Sequence, residues 1–128
     1  MMQILAATKA ILSLAPAISP RIYVERIDQN AQRPNILLKN PESGGEQTHD
    51  GLSDLLDAHV QVVCRADTDV SCMSLADAVR GRLVDWLGEA FGLDIQLFEL
   101  DGEATSFDSA TNVFTTTFDF TVHYSRTP

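Results

Sequence analysis

The sequence predicts an α+β domain: a mainly antiparallel sheet of about four to five strands with two helices packed on one face. Three observations carry this. The chain ends in "NVFTTTFDFTVHYSR", where large apolar residues alternate with polar ones from Val113 to Tyr124. An earlier run, "LLDAHVQVVCRA" (55–66), alternates in the same way. Between them lies "DTDVSCMSLADAVRGRLVDWLGEAFG" (67–92), whose apolar residues recur at helical spacing. Alternation with period two marks a half-buried strand, and period 3.6 marks an amphipathic helix.

The remaining elements follow in order. Ile4, Leu5, Thr8, Ile11, Leu12 and Ala15 mark one face of an N-terminal helix, ended by Pro16 and Pro20. Ala15-Pro16-Ala17 imitates a signal-peptidase site, but no positive charge precedes the apolar run and Lys9 falls inside it. "RIYVERI" (21–27) is rich in β-branched and aromatic residues and predicts a strand. "NILLKN" (35–40) predicts a second, hairpinned to the first. "PESGGEQTHDGLSD" (41–54) is polar and predicts a flexible loop of the kind that a partner orders.

In the third strand Ala58, Val60, Val62 and Cys64 share one face, and His59, Gln61, Val63 and Arg65 the other. The second helix is capped by Asp67, Thr68 and Asp69. Its buried stripe is Leu75, Val79, Leu83, Trp86, Leu87 and Ala90, and Gly88 or Gly92 closes it. "LDIQLFEL" (93–100) predicts a fourth strand and "DGEATSFDSATN" (101–112) a turn-rich connection. If the third and fourth strands are parallel, the helix between them is a right-handed crossover. In the terminal strand Phe114, Thr116, Phe118, Phe120, Val122 and Tyr124 point one way. Val113, Thr115, Thr117, Asp119, Thr121 and His123 point the other, toward bulk water or an aqueous channel.

A chain of 128 residues and 14.0 kDa is one domain, 1–128, large enough to bury a core. Its net charge of -9 argues against gripping a phosphate backbone. Cys64 and Cys72 do not make a disulfide framework, and two free thiols in a reducing compartment is the favoured reading. No run is long and apolar enough for a membrane helix, so no membrane partner is expected.

Little in the sequence reads as catalysis. There is no G-x-S-x-G elbow, no G-x-G-x-x-G and no Walker motif. Thr48, His49, Asp50, Ser53 and Asp54 cluster in the polar loop, where nothing pre-organises them. His59 and His123 become neighbours only if their strands pair, and two ligands without a third do not make a zinc site. Asp67 and Asp69 resemble the start of a calcium loop that lacks its glycine and terminal glutamate, so capping explains them. No enzyme activity, metal or cofactor is expected.

Taken together, "AHVQVVCRADT" from Ala58 to Thr68, "LADAVRGRL" from Leu75 to Leu83 and "FDFTVHY" from Phe118 to Tyr124 have a distinctive order and spacing. The chain resembles the tail completion, or tail terminator, family of long-tailed bacteriophages and gene-transfer agents, over roughly residues 20–125. The resemblance implies a virion structural protein at the tail–neck junction, assembled in the bacterial host cytoplasm. Such a protein forms a ring, typically hexameric, on the head-proximal end of the tail tube. There it stops tube polymerisation and offers a joining surface to the head connector or adaptor, and DNA passes through its lumen without specific binding. A hexamer would carry on the order of -54 charges by multiplication. On this reading Thr115, Thr117, Asp119 and Thr121 are channel-facing or inter-subunit candidates, and the terminal strand can extend to a neighbour. Glu42, Glu46, His49 and Asp50 are candidates in a partner-binding loop. The alternatives are another neck component, a head-completion or adaptor protein, and a small acidic host binding module.

Overall fold

The structure, a computed structural model, describes residues 2–13, 21–26, 32–40, 47–48, 55–84, 86, 88–90 and 92–126. The elements are α1 (Met2–Ser13), β1 (Ile22–Val24), β2 (Asn35–Lys39), β3 (Gln47–Thr48), β4 (Leu55–Ala66), α2 (Asp69–Val84), β5 (Gly88–Ala90), β6 (Leu93–Asp108) and β7 (Val113–Arg126). The strand order is β1-β2-β4-β7-β6-β5, with β3 paired to β4. The α+β class is as predicted, but the sheet has more strands than four to five and is mixed. β1 and β2 run parallel rather than as a hairpin. A hairpin needs a tight turn; residues 25–34 are too many for one, and Glu25 leaves the strand at a φ of 68°.

The long terminal strand is interior. β7 pairs with β4 from Phe114 to Ser125 and with β6 from Val113 to Arg126. Both its edges are occupied, so it does not extend to a neighbour through main-chain pairing. β4 and β6 each run antiparallel to β7 and are therefore parallel to one another. The helix α2 is thus the crossover between them, skipping the position that β7 fills.

Alternation decides which side of the sheet the helices cover. Ala58, Val60, Val62 and Cys64 of β4 and Phe118, Phe120, Val122 and Tyr124 of β7 are all buried. Leu75, Ala76, Val79 and Leu83 of α2 pack on them in one core with Ile4, Leu5, Ile11 and Leu12 of α1, and Cys72 is also buried. Thr8, on the apolar face of α1, is buried because its hydroxyl donates back to the Ile4 carbonyl at 2.9 Å. Arg82 ties the helices together, donating to the Ile11 carbonyl at 3.3 Å. Both cysteines are free and buried. Burial pushes the Cys64 thiol far above the ordinary range, which makes it unreactive.

The second helix begins where the acidic stretch predicts. Thr68 is its N-cap, and its hydroxyl accepts the Ser71 N–H at 3.1 Å. Thr68→Ala is expected to cost about 1 kcal/mol, and Thr68→Asn close to nothing, read from urea midpoints. The C-terminus differs from expectation: the helix stops at Val84, not at Gly88 or Gly92. Gly88 instead opens β5 at a φ of 137°, and Gly92 turns the chain into β6 at 78°. "GEAFGLDI" therefore closes as a hairpin, with Gly88 opposite Ile95 and Ala90 opposite Leu93.

The largest departure lies in 101–108, read from sequence as a connection. It is strand, continuing β6 to Asp108. Asp101-Gly102, a turn signal in most contexts, is here an irregularity in the pairing between Leu100 and Gly102, where β6 carries one extra residue. The turn itself is residues 109–112. Asp108 accepts the Ala110 N–H at 3.0 Å, and Asn112 takes a φ of 58°. β6 and β7 thus form a long hairpin, with β4 paired to β7 as far as Phe114.

Candidate functional site

The face of the sheet away from the helices is the one that the terminal strand's polar set occupies. Cross-strand register aligns that set with its neighbours. Arg65, Thr115 and Ser106 form one row, and Val63, Thr117 and Ala104 the next. Then come Gln61, Asp119 and Gly102, followed by His59, Thr121 and Glu99, and last Asp57, His123 and Leu97. All four candidate residues, Thr115, Thr117, Asp119 and Thr121, therefore lie in consecutive rows of one open surface. Glu42, Glu46, His49 and Asp50 lie outside the described residues. Within the predicted loop, Gln47 and Thr48 form the short strand β3, opposite Asp57 and Leu56.

Hydrogen bonds across strands hold this surface. Gln61 donates to Asp119 at 3.2 Å, Thr121 donates to Asp101, and Gln96 donates to Ser125 at 3.3 Å. The densest set surrounds His123. Its Nδ1 lies 2.6 Å from an Asp57 oxygen and its Nε2 lies 2.9 Å from a Glu99 oxygen. A carboxylate only accepts, so both ring nitrogens act as donors and the imidazolium is the fitting form. The hydrogen bond to Glu99 raises the His123 pKa above its ordinary value, partial burial opposes this, and Asp57 raises it further.

The sign of the pH effect follows. A raised folded-state pKa means that this stabilisation is fully present below about 6.5 and is lost as pH climbs through the raised value. Subtracting the stability of His123→Gln from wild type at each pH is expected to leave a difference that falls above neutrality. A flat difference would show that the three side chains do not act together.

Glu99 lies in the predicted fourth strand, but only the register of β6 against β7 brings it to His123; Asp101 lies beyond that strand's predicted end. The strands of His59 and His123 do pair, with Asp57 opposite His123 and His59 opposite Thr121, which makes the two histidines diagonal neighbours across the ladder. The described residues contain no group of three or more His, Cys, Asp and Glu placed to hold a metal ion. Between the start of α2 and the β6–β7 hairpin, an open groove of about 310 Å³ is lined by Asp69, Cys72, Met73, Thr105, Phe107 and Phe114. Phe107 and Phe114 stack at 4.5 Å there. No helix among the described residues is long and apolar enough to cross a membrane.

The sheet is thus covered by helices on one side and presents a hydrogen-bonded polar wall on the other. Residues 1–125 match the family described as Tail completion protein gp17. The chain belongs to that family of structural virion proteins of the phage tail, and is thereby a virion component. Its fold is similar to that of a chain in the virion of native gene transfer agent (GTA) particle, with a TM-score of 0.72 and 12% identity. That match covers 94% of this chain and 92% of the other. A comparison with the curated proteins found no match.

Proposed function

We propose that the chain forms a ring, hexameric as in the family it resembles, on the head-proximal end of a tail tube. There it ends tube polymerisation and presents a joining surface to the head connector or adaptor. The carrying observation is the family match over nearly the whole chain, supported by the character of the open face. That face is polar and carries Asp57, Glu99 and Asp119 in successive rows, with Asp101 accepting a hydrogen bond from Thr121 beside them. Facing a lumen, Thr115, Thr117, Asp119 and Thr121 would line a wall that repels phosphate, so that DNA slides past without being held.

The test is tube assembly. Purified tube protein polymerised with increasing amounts of this chain is expected to give shorter tubes, each carrying the chain at one end in electron micrographs. Tubes that lengthen unchanged, while the chain instead binds the head connector, would favour the reading as another neck component.

A further inference from the structure

Burial along β6 stops midway. Leu93, Ile95 and Phe98 are buried, and no residue of β6 beyond Phe98 is. Leu100 packs on the core only partly buried. β5 covers β6 from Leu93 to Ile95. From Gln96 to Asp108 no described strand pairs with β6 on the side away from β7. Past Phe98 the strand is therefore held by one main-chain ladder, and that ladder is irregular, with Asp101 as an extra residue between Leu100 and Gly102. At Glu103 the strand is fastened again, by Arg80 of α2 at 3.3 Å. Between Phe98 and Glu103 two side chains reach β7: Glu99 meets His123 at 2.9 Å, and Asp101 accepts from Thr121. Edge segments with few buried contacts open at low free-energy cost.

We infer that Glu99–Gly102 is a latch, fastened to β7 while His123 is protonated and loosened once His123 is neutral, a device independent of the ring reading. A neutral imidazole has one N–H. It serves Asp57 or Glu99 but not both, and the bare nitrogen then faces a carboxylate. Asp57 keeps the proton: its contact is the shorter, 2.6 Å, and its side chain is 22% exposed against 53% for Glu99. Glu99 turns to water, and β6 loses its first fastening past Phe98. The hydrogen bond to Glu99 raises the His123 pKa, so the latch is closed below the ordinary imidazole range and opens as pH climbs through the raised value. The other charged groups around His123 are His59, diagonal to it on β4, and Asp101 on β6. In the next row stand Asp94 of β6, opposite Ser125, and Glu89 of β5, opposite Asp94. Imidazole is the side chain that ordinarily changes charge near neutrality, so the test must separate His123 from His59.

Amide exchange read by NMR from about pH 5.5 to about pH 9 does this. Protection is taken relative to an unstructured chain at the same pH. Val62 and Phe118, paired in the buried centre of the sheet, report opening of the whole fold. Protection at Glu99–Gly102 is expected to fall about threefold more than at Val62 and Phe118, the size of a half-exposed ion pair. The midpoint is expected to coincide with the titration of the His123 ring, followed by its own resonances, and not with that of His59. Glu99→Gln, at an exposed position, is expected to abolish the extra fall, because an amide accepts from the charged ring and donates to the neutral one. Four results would overturn the latch. Protection that falls equally at all these amides would assign His123 to the stability of the whole fold. No fall at Glu99–Gly102 would leave nothing for His123 to control there. A midpoint that follows His59 would make the wrong histidine responsible. An extra fall that persists in Glu99→Gln would show that the contact with His123 is not the fastening.

Discussion

A chain ending at Asn112 is expected not to fold. The deletion removes β7, the strand that pairs along β4 on one side and β6 on the other. Four large core side chains leave with it: Phe118, Phe120, Val122 and Tyr124, each fully buried or nearly so. Burying a side chain of this kind stabilises by roughly 1.5–3 kcal/mol, so the four together supply roughly 6–12 kcal/mol. That is comparable with the whole stability of an ordinary domain, roughly 5–15 kcal/mol. The loss of two ladders adds unpaired backbone in β4 and β6. Circular dichroism and amide NMR dispersion of the truncated chain check this. A cooperative melt in the truncated chain would mean that the strand is an appendage, ordered by a neighbouring copy, and that the core is wrongly placed.

The second large effect is Phe120→Ala, expected to cost about 3–5 kcal/mol. Phe120 sits at the middle of the sheet, opposite Val60 on β4 and Leu100 on β6. Its ring meets Phe98 edge-on at 6.0 Å and Phe118 at 5.9 Å. Truncation leaves a cavity between rings that rigid strands hold apart, so little collapse can fill it. Thr117, three residues earlier and on the open face, provides the contrast: Thr117→Ala is expected within about 0.5 kcal/mol of wild type. Urea unfolding of the two variants measures the difference. Similar costs for both would mean that the alternation does not separate a core face from an open one.

That alternation is the reason so much was legible. β4 spans the run predicted for it, Leu55–Ala66, and the faces of β4 and of β7 from Thr116 to Tyr124 sort as period two dictates, whereas Val113, expected on the outward face, is buried. Ile4, Leu5, Thr8, Ile11 and Leu12 are all buried, as the helical face of α1 requires, and Leu75, Val79 and Leu83 of α2 likewise. What stayed hidden was set by pairing, which one strand's sequence does not contain. Asp101-Gly102 is a turn in isolation, yet β7 opposite it holds the segment extended and turns the extra residue into a bulge. Gly88 and Gly92 end a helix in isolation, yet the chain returning through Leu93 makes them the corners of a hairpin. The parallel pairing of β1 with β2 is likewise invisible in two short apolar runs. The candidate site shows the same division. Thr115, Thr117, Asp119 and Thr121 were placed on one face by their spacing alone. The set of Asp57, His123 and Glu99 needed three strands in register before it existed.

The proposed function requires this chain to close into a ring at the end of a tail tube. Native mass spectrometry over a concentration series, with and without added tubes, tests it most directly. A species of about six subunits is expected, either free in solution or formed from monomers at tube tips. A chain that stays strictly monomeric at every concentration and ignores tubes would contradict it. The fold would stand, and a different partner for the polar face would have to be sought.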